Sequence, residues 1–228
     1  MIVSFLQIGV QPYAASMVES VKRVYDCPVV QMSDSATPAV EGVDEVVRKP
    51  FKIPMMLYRF KHLAEFSHDE MLILDNDVIA RHRADIWKVP FDVALTYREL
   101  GELYDGDGVD IGGDMPINTG VMFSRNRQFW ADCFCWLVKQ PETIHRWYGD
   151  QKAVAVVASR YDVLRLTCEQ FNWAPNSRTD WSDAYFWHYK GAIRKKWIPS
   201  SCTLDMTQEK PSPITSLPNP SFGTLQRP

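Results

Sequence analysis

Apolar residues recur along this chain with two periods, and the switching between them divides the first half into alternating strands and helices. Residues 2–8, "IVSFLQI", and 28–34, "PVVQMSD", are short apolar runs of the kind found in strands covered on both faces. Between them, 13–25, "YAASMVESVKRVY", carries apolar positions three and four apart and stops before Pro28, which predicts a helix. A "SATPAVEG" loop punctuated by Pro and Gly leads to a third strand, "DEVVRKP". A second helix follows at 55–66, "MMLYRFKHLAEF", with Met55, Leu57, Phe60, Leu63, Ala64 and Phe66 on its inner side, and then a strand "MLILD". No hairpin signal joins these strands. The order predicts an α/β fold with a mainly parallel, Rossmann-like sheet and helices on both faces, whose ligands gather at the carboxyl ends of the strands. Gln7, Asp34, Asp75 and Asp77 all fall at such ends.

The second half is less regular. "FDVALTYRE", "INTGVMFSR", "DVLRL" and "YFWHYK" read as strands, and "QFWADCFCWLVK" and "GDQKAVAVVASR" as helices. Between the first two strands lies 101–114, "GELYDGDGVDIGGD", a Gly- and Asp-rich loop long enough to close over a donor or touch an acceptor. The last stretch, 207–228, is aperiodic and rich in Pro and Ser. The expected division is therefore a single domain over 1–206 and a tail over 207–228.

Composition narrows the picture without sharpening it. The 228 residues are 46% hydrophobic and 23% charged, which suits one ordinary core. A net charge of -3 gives no overall attraction to nucleic acid or anionic lipid, although "RKPFK", "ARHR" and "RKKW" are local basic runs. No apolar run approaches the roughly 20 residues of a membrane span, and the first residues lack the basic flank of a secretion signal. Five cysteines in no metal or disulfide spacing suggest reduced thiols and a cytoplasmic protein.

The chemistry concentrates at "LILDND". Residues two apart on a strand project from one face, so Asp75 and Asp77 can converge while Asn76 turns away. Two carboxylates so close repel each other, and a divalent cation such as Mg²⁺ or Mn²⁺ removes the conflict while bridging to substrate phosphates. The plainer alternative is that the two aspartates cap a following helix, "RADIW". A second cluster, "FWHYKGAIRKKW", offers His188 as a third ligand, which shifts preference from Mg²⁺ toward Mn²⁺. Lys190 sits two residues on, and Gly191 opens a turn bearing Arg194, Lys195 and Lys196, cations suited to a diphosphate. Trp173 and Trp181 flank "APNSRTD", where stacking on an acceptor sugar is conceivable, with core packing the better reading for most tryptophans.

Taken together, "LILDND", "INTGVMFS", "GDQKAV" and "HYKGAIRKKW" resemble, in order, the motifs of GT-A fold nucleotide-sugar glycosyltransferases of the glycogenin and lipopolysaccharide galactosyltransferase family, over roughly residues 1 to 200. The resemblance implies a GT-A fold and a metal-dependent, configuration-retaining transfer from a sugar nucleotide, with UDP as the nucleotide. It implies Asp75, Asp77 and His188 as metal ligands. Asn118 and Gln151 would contact the transferred sugar, Asp150 would bind a sugar hydroxyl, and Arg59 would reach the donor. Lys190, Gly191 and Arg194 would hold the phosphates, with Gln7, Ile8, Asp34 and Asn76 near the nucleoside. The chain departs from the pattern in its last motif, which has one extra residue before Trp197 and no proline, and in a first strand without the usual polar signature. An inverting reaction would make Asp150 the general base. The competing readings are a nucleotidyltransferase, which would ordinarily need a Gly-rich phosphate loop where only Gly9 stands, and a non-catalytic sugar-nucleotide or glycan binder. A saccharide is the expected acceptor, ahead of a protein side chain or a hydroxylated base in nucleic acid.

Overall fold

The computed structural model describes residues 1–66, 68–99, 112–113, 115–145 and 148–198. The tail 207–228 and most of the loop 101–114 lie outside the described residues. The elements run β1 (Ile2–Gln7), α1 (Ala14–Val24), β2 (Val29–Ser33), β3 (Glu45–Arg48), α2 (Met55–Glu65), β4 (Met71–Leu74), β5 (Val78–Ala80), β6 (Val93–Tyr97) and β7 (Ile117–Ser124). They continue with α3 (Arg127–Leu137), a 3-10 turn at Glu142–His145, α4 (Gly149–Ala158), β8 (Val163–Thr167), α5 (Cys168–Phe171), β9 (Phe186–His188) and α6 (Ala192–Lys195).

Seven strands form one sheet in the order β3-β2-β1-β4-β7-β6-β8. The pairs β1–β2, β2–β3, β1–β4 and β6–β8 are parallel, and β7 is antiparallel to both β4 and β6, so it alone runs against the other six. Side chains alternate across the sheet as the pleat requires. Ile2, Met71 and Ile73 meet one apolar layer with Leu57, Phe60, Trp130 and Val154 of α2, α3 and α4. Val3, Phe5, Leu72 and Leu74 meet the other, with Met17, Val18 and Val21 of α1. The mainly parallel sheet with helices on both faces is therefore the observed architecture. In α3 the Asn126 side chain accepts from the Gln128 backbone N–H at 3.0 Å, closing an orphan donor at the helix start.

Three local features differ from the sequence reading. The fourth strand ends at Leu74, and Asp75 begins a turn in which the Val78 N–H donates to the Asp75 carbonyl at 3.2 Å. No helix forms over 83–87, which removes the reading of the aspartates as its caps. In its place the three-residue β5 pairs with β9, Val78 opposite His188, a pairing too short to announce itself by periodicity. Among the described residues no helix is long and apolar enough to cross a membrane.

Candidate active site

A cavity of about 710 Å³ opens where β1 and β4 end and β7 begins. The reversal of β7 matters here, because it brings the start of that strand, Asn118 and Thr119, to the end of the sheet where its neighbours deliver their last residues. The β6–β7 register breaks between Leu95 and Thr96, leaving Thr119 and Gly120 without ladder partners on β6. Such irregularities free backbone groups for other partners. The Thr119 carbonyl accepts from Arg59 Nη2 at 2.9 Å, and the Gly120 carbonyl from the Asp75 N–H at 2.9 Å.

Asp75 and Asp77, with His188 from more than a hundred residues further along the chain, each offer an oxygen or nitrogen within 4.8 Å of the others. His188 Nε2 stands 3.2 Å from Asp77 Oδ1 and 3.7 Å from Asp75 Oδ2. The pairing of β5 with β9 brings the histidine in, and the turn at 75–78, rather than the pleat of a strand, brings the two carboxylates together. Gly120 is the floor beneath the imidazole: a Cβ there would collide with the His188 ring.

A polar chain behind the ring sets its tautomer. Thr96 Oγ1 donates to the Asn118 carbonyl at 2.7 Å and so accepts from Asn172 Nδ2 at 2.9 Å. That leaves Asn172 Oδ1 to accept the proton of His188 Nδ1, also at 2.9 Å. In its neutral form the imidazole would then present a bare Nε2 to the carboxylates, the form a metal requires.

The negative charge of the site is balanced by a buried arginine. Arg59 lies 2.9 Å from Asp75 Oδ1 through Nη2 and 3.0 Å from Asp150 Oδ2 through Nη1. Thr119 Oγ1 also donates to Asp150 Oδ2, at 2.9 Å, and the Gln151 N–H donates to Asp150 Oδ1 at 2.8 Å. Burial raises the Asp150 carboxyl above the ordinary range despite the opposing charge of Arg59. For Asp77, burial pushes the same way but is outweighed by the hydrogen bond and charge of His188 and by Lys195, whose Nζ is 3.0 Å from Asp77 Oδ2. The result holds Asp77 at about 2.

Most of the residues singled out from the sequence meet in this one cavity: Ile8, Arg59, Asn76, Asn118, Asp150 and Gln151 line it, as do Lys190, Gly191 and Arg194 beside the three potential ligands. Asn118 Nδ2 is buried without a hydrogen-bond partner among the described residues, and Asn118 lines the cavity. Two do not line the cavity. Gln7 is buried and supports Asn76, whose Nδ2 donates to Gln7 Oε1 at 2.6 Å. Asp34 instead accepts from the Ala36 and Thr37 N–H groups, holding the loop after β2. Arg194 borders the cavity with its Nε already donating to the Pro175 carbonyl at 2.5 Å.

Several contributors carried no signal of their own in the sequence. Asn172 is one asparagine among many, Thr119 is the small residue inside "NTG", and Arg98 follows an ordinary strand. Arg98 donates to the Met115 and Ile117 carbonyls and, through Nη2, to Gln151 Oε1, each at 2.5 Å. The basic runs do not converge. None of 81–83 lines the cavity, and the Arg81 guanidinium sits between Trp181 and Trp187, 4.7 and 4.6 Å from their ring centres. Trp181 is thereby engaged by Arg81.

No family profile matches the chain, and no curated protein does. Solved structures do. The galactosyltransferase LgtC in complex with donor and acceptor sugar analogs has a TM-score of 0.57 at 15% identity, covering 84% of this chain and 87% of that one. The bifunctional glycosyltransferase WbbM gives 0.57 at 15% identity, over 83% of this chain and 45% of its own. The glycosyltransferase GlyE of Streptococcus pneumoniae TIGR4 gives 0.50 at 16% identity, over 74% and 45%. With the sheet order and the site at its carboxyl end, this likeness establishes that the chain has the GT-A fold of these glycosyltransferases.

Proposed function

We propose that the chain is a metal-dependent glycosyltransferase that moves a sugar from a nucleoside diphosphate, taken to be UDP, to a hydroxyl of a saccharide acceptor. The observation that carries this reading is the group Asp75, Asp77 and His188 facing a cavity of about 710 Å³ on a GT-A sheet. The donor set fits the ion. Two carboxylate oxygens and one imidazole nitrogen suit Mn²⁺, and Asn172, by accepting from Nδ1, selects the tautomer that would offer Nε2 to the ion. When bound, the cation would neutralise charge gathering on the departing diphosphate.

The protein groups divide the remaining work. Lys195 beside Asp77, with Arg194 on the rim, would meet the phosphates. Asn118, with its unpartnered Nδ2, and Gln151 would hold the transferred sugar. The acceptor oxygen forms a bond to the anomeric carbon. The bond from that carbon to the phosphate oxygen breaks with its electron pair going to the nucleoside diphosphate, and the acceptor proton passes to the departing phosphate. Both oxygens of Asp150 already accept hydrogen bonds, from Arg59, Thr119 and the Gln151 N–H, which disfavours it as a general base and favours attack on the face of departure, with retention. The test is manganese-dependent hydrolysis of UDP-glucose and UDP-galactose by the full chain. Asp77→Ala should stay folded and lose about 100-fold or more of that activity. Full activity in the variant would remove the metal role.

A further inference from the structure

A second hollow of about 280 Å³ opens beside the main cavity. Arg98 and Lys190 line both, so together they form the ridge between them. All three carboxylates that line the main cavity are already engaged by other groups: Asp75 by Arg59, Asp150 by Arg59 and Thr119, Asp77 by His188 and Lys195. Arg98 makes its hydrogen bonds to two carbonyls and the Gln151 amide oxygen, with no carboxylate partner among the described residues. Of its five donors, Nε–H and one on Nη2 are left over among the described residues. The Lys190 ammonium has neither a hydrogen bond nor an ion pair among the described residues. Arg98 and Lys190 are both partly buried. Glu99 and Glu169 also line the second hollow, but neither is ion-paired with Arg98 or Lys190 among the described residues, and an anion bound between the two cations would offset their repulsion.

The donor diphosphate does not account for the pair. The potential metal ligands and Lys195 would hold it on the Asp77 side, whereas Arg98 is tied to Gln151, where the sugar would be transferred. We infer that the acceptor is a saccharide bearing an acidic group, a phosphate ester or a carboxylate, which seats between Arg98 and Lys190 on the ridge joining the two hollows. The inference rests on the glycosyltransferase reading above. An anion fixed at Arg98 would bring the rest of the acceptor up to Gln151, and Trp173 in the wall of the second hollow offers an apolar face for its ring.

Calorimetric titration of the full chain with glucose 6-phosphate, glucuronate and glucose tests this, with and without saturating UDP and Mn²⁺. At least one acid sugar should bind about tenfold or more tighter than glucose in both conditions, and Arg98→Met or Lys190→Met should reduce the ratio to about threefold or less. Which acid shows the preference identifies the group. Equal binding of all three sugars, or displacement of the acid sugars by UDP and Mn²⁺, would overturn the inference, the second result assigning the ridge to the donor. Failure of UDP to bind would count against the donor reading alone, because the titrations without nucleotide still report on the ridge. Should Arg98→Met not fold, Lys190→Met carries the comparison.

Discussion

His188 Nδ1 stands 2.9 Å from Asn172 Oδ1, and this one contact turns the opposite ring nitrogen toward Asp75 and Asp77. If the ring is a metal ligand, Asn172 controls its basicity from behind. Asn172→Leu should weaken Mn²⁺ binding by about 10- to 100-fold, whereas Asn172→Asp, which still accepts the Nδ1 proton, should retain it. Manganese EPR on the two variants makes the comparison. Unchanged affinity in the leucine variant would mean the imidazole is not a ligand.

Gly120 is set by what lies over it. A methyl group there would meet the His188 ring and come within 3.3 Å of Asn118 Oδ1. Gly120→Ala should cost about 1–3 kcal/mol in urea denaturation and lower manganese affinity together. Loss of either alone would mean that the ring has room to move.

Arg59 connects two carboxylates from a position only 7% exposed. Its removal leaves Asp75 and Asp150 facing each other without a counter-charge, so Arg59→Met should destabilise by about 3–5 kcal/mol. Adding Asp150→Asn should recover part of that loss, because the second carboxylate is then gone. A double variant no more stable than the single would show that the arginine acts through packing.

His62 supplies a pH dependence remote from the cavity. Burial, with help from Lys49, lowers its pKa to about 4, and its Nε2 donates to Tyr58 Oη at 3.0 Å while Nδ1 has no partner among the described residues. The folded pKa lies below the unfolded value, so between the two the unfolded chain binds more protons. Stability from this group is intact above pH 6.5 and falls as the pH drops toward 4. By pH 5 the loss should reach about 2 kcal/mol, and His62→Gln should flatten the profile between pH 7 and 5. An unchanged slope would place the dependence elsewhere.

Much of the fold was legible because its strands and helices are long enough to show their periods. Residues 13–25 and 55–66 contain the observed helices within a residue or so at each end. What escaped was short or defined by pairing. The three residues of β5 have no period to detect, and the direction of β7 depends on partners far away in the chain. In the site, acidic and basic residues stand out because charge is rare in a core. Neutral supports such as Thr96 and Asn172 do not, since their importance comes from the bonds they make after folding. Asp34 looked like a ligand-binding residue by position at a strand end, yet the turn that follows offers its own N–H groups to the carboxylate.

The reach of Arg59 across 91 residues to Asp150 has a bearing on how such a protein could be re-engineered. The segments that carry Arg59 and Asp150 are stitched by a charged knot at their seam, so exchanging either for the matching segment of another protein of this fold would sever it unless the arginine and both its acids travelled together. Chimeras cut between residues 60 and 150 should therefore fail at assembly before any question of specificity arises.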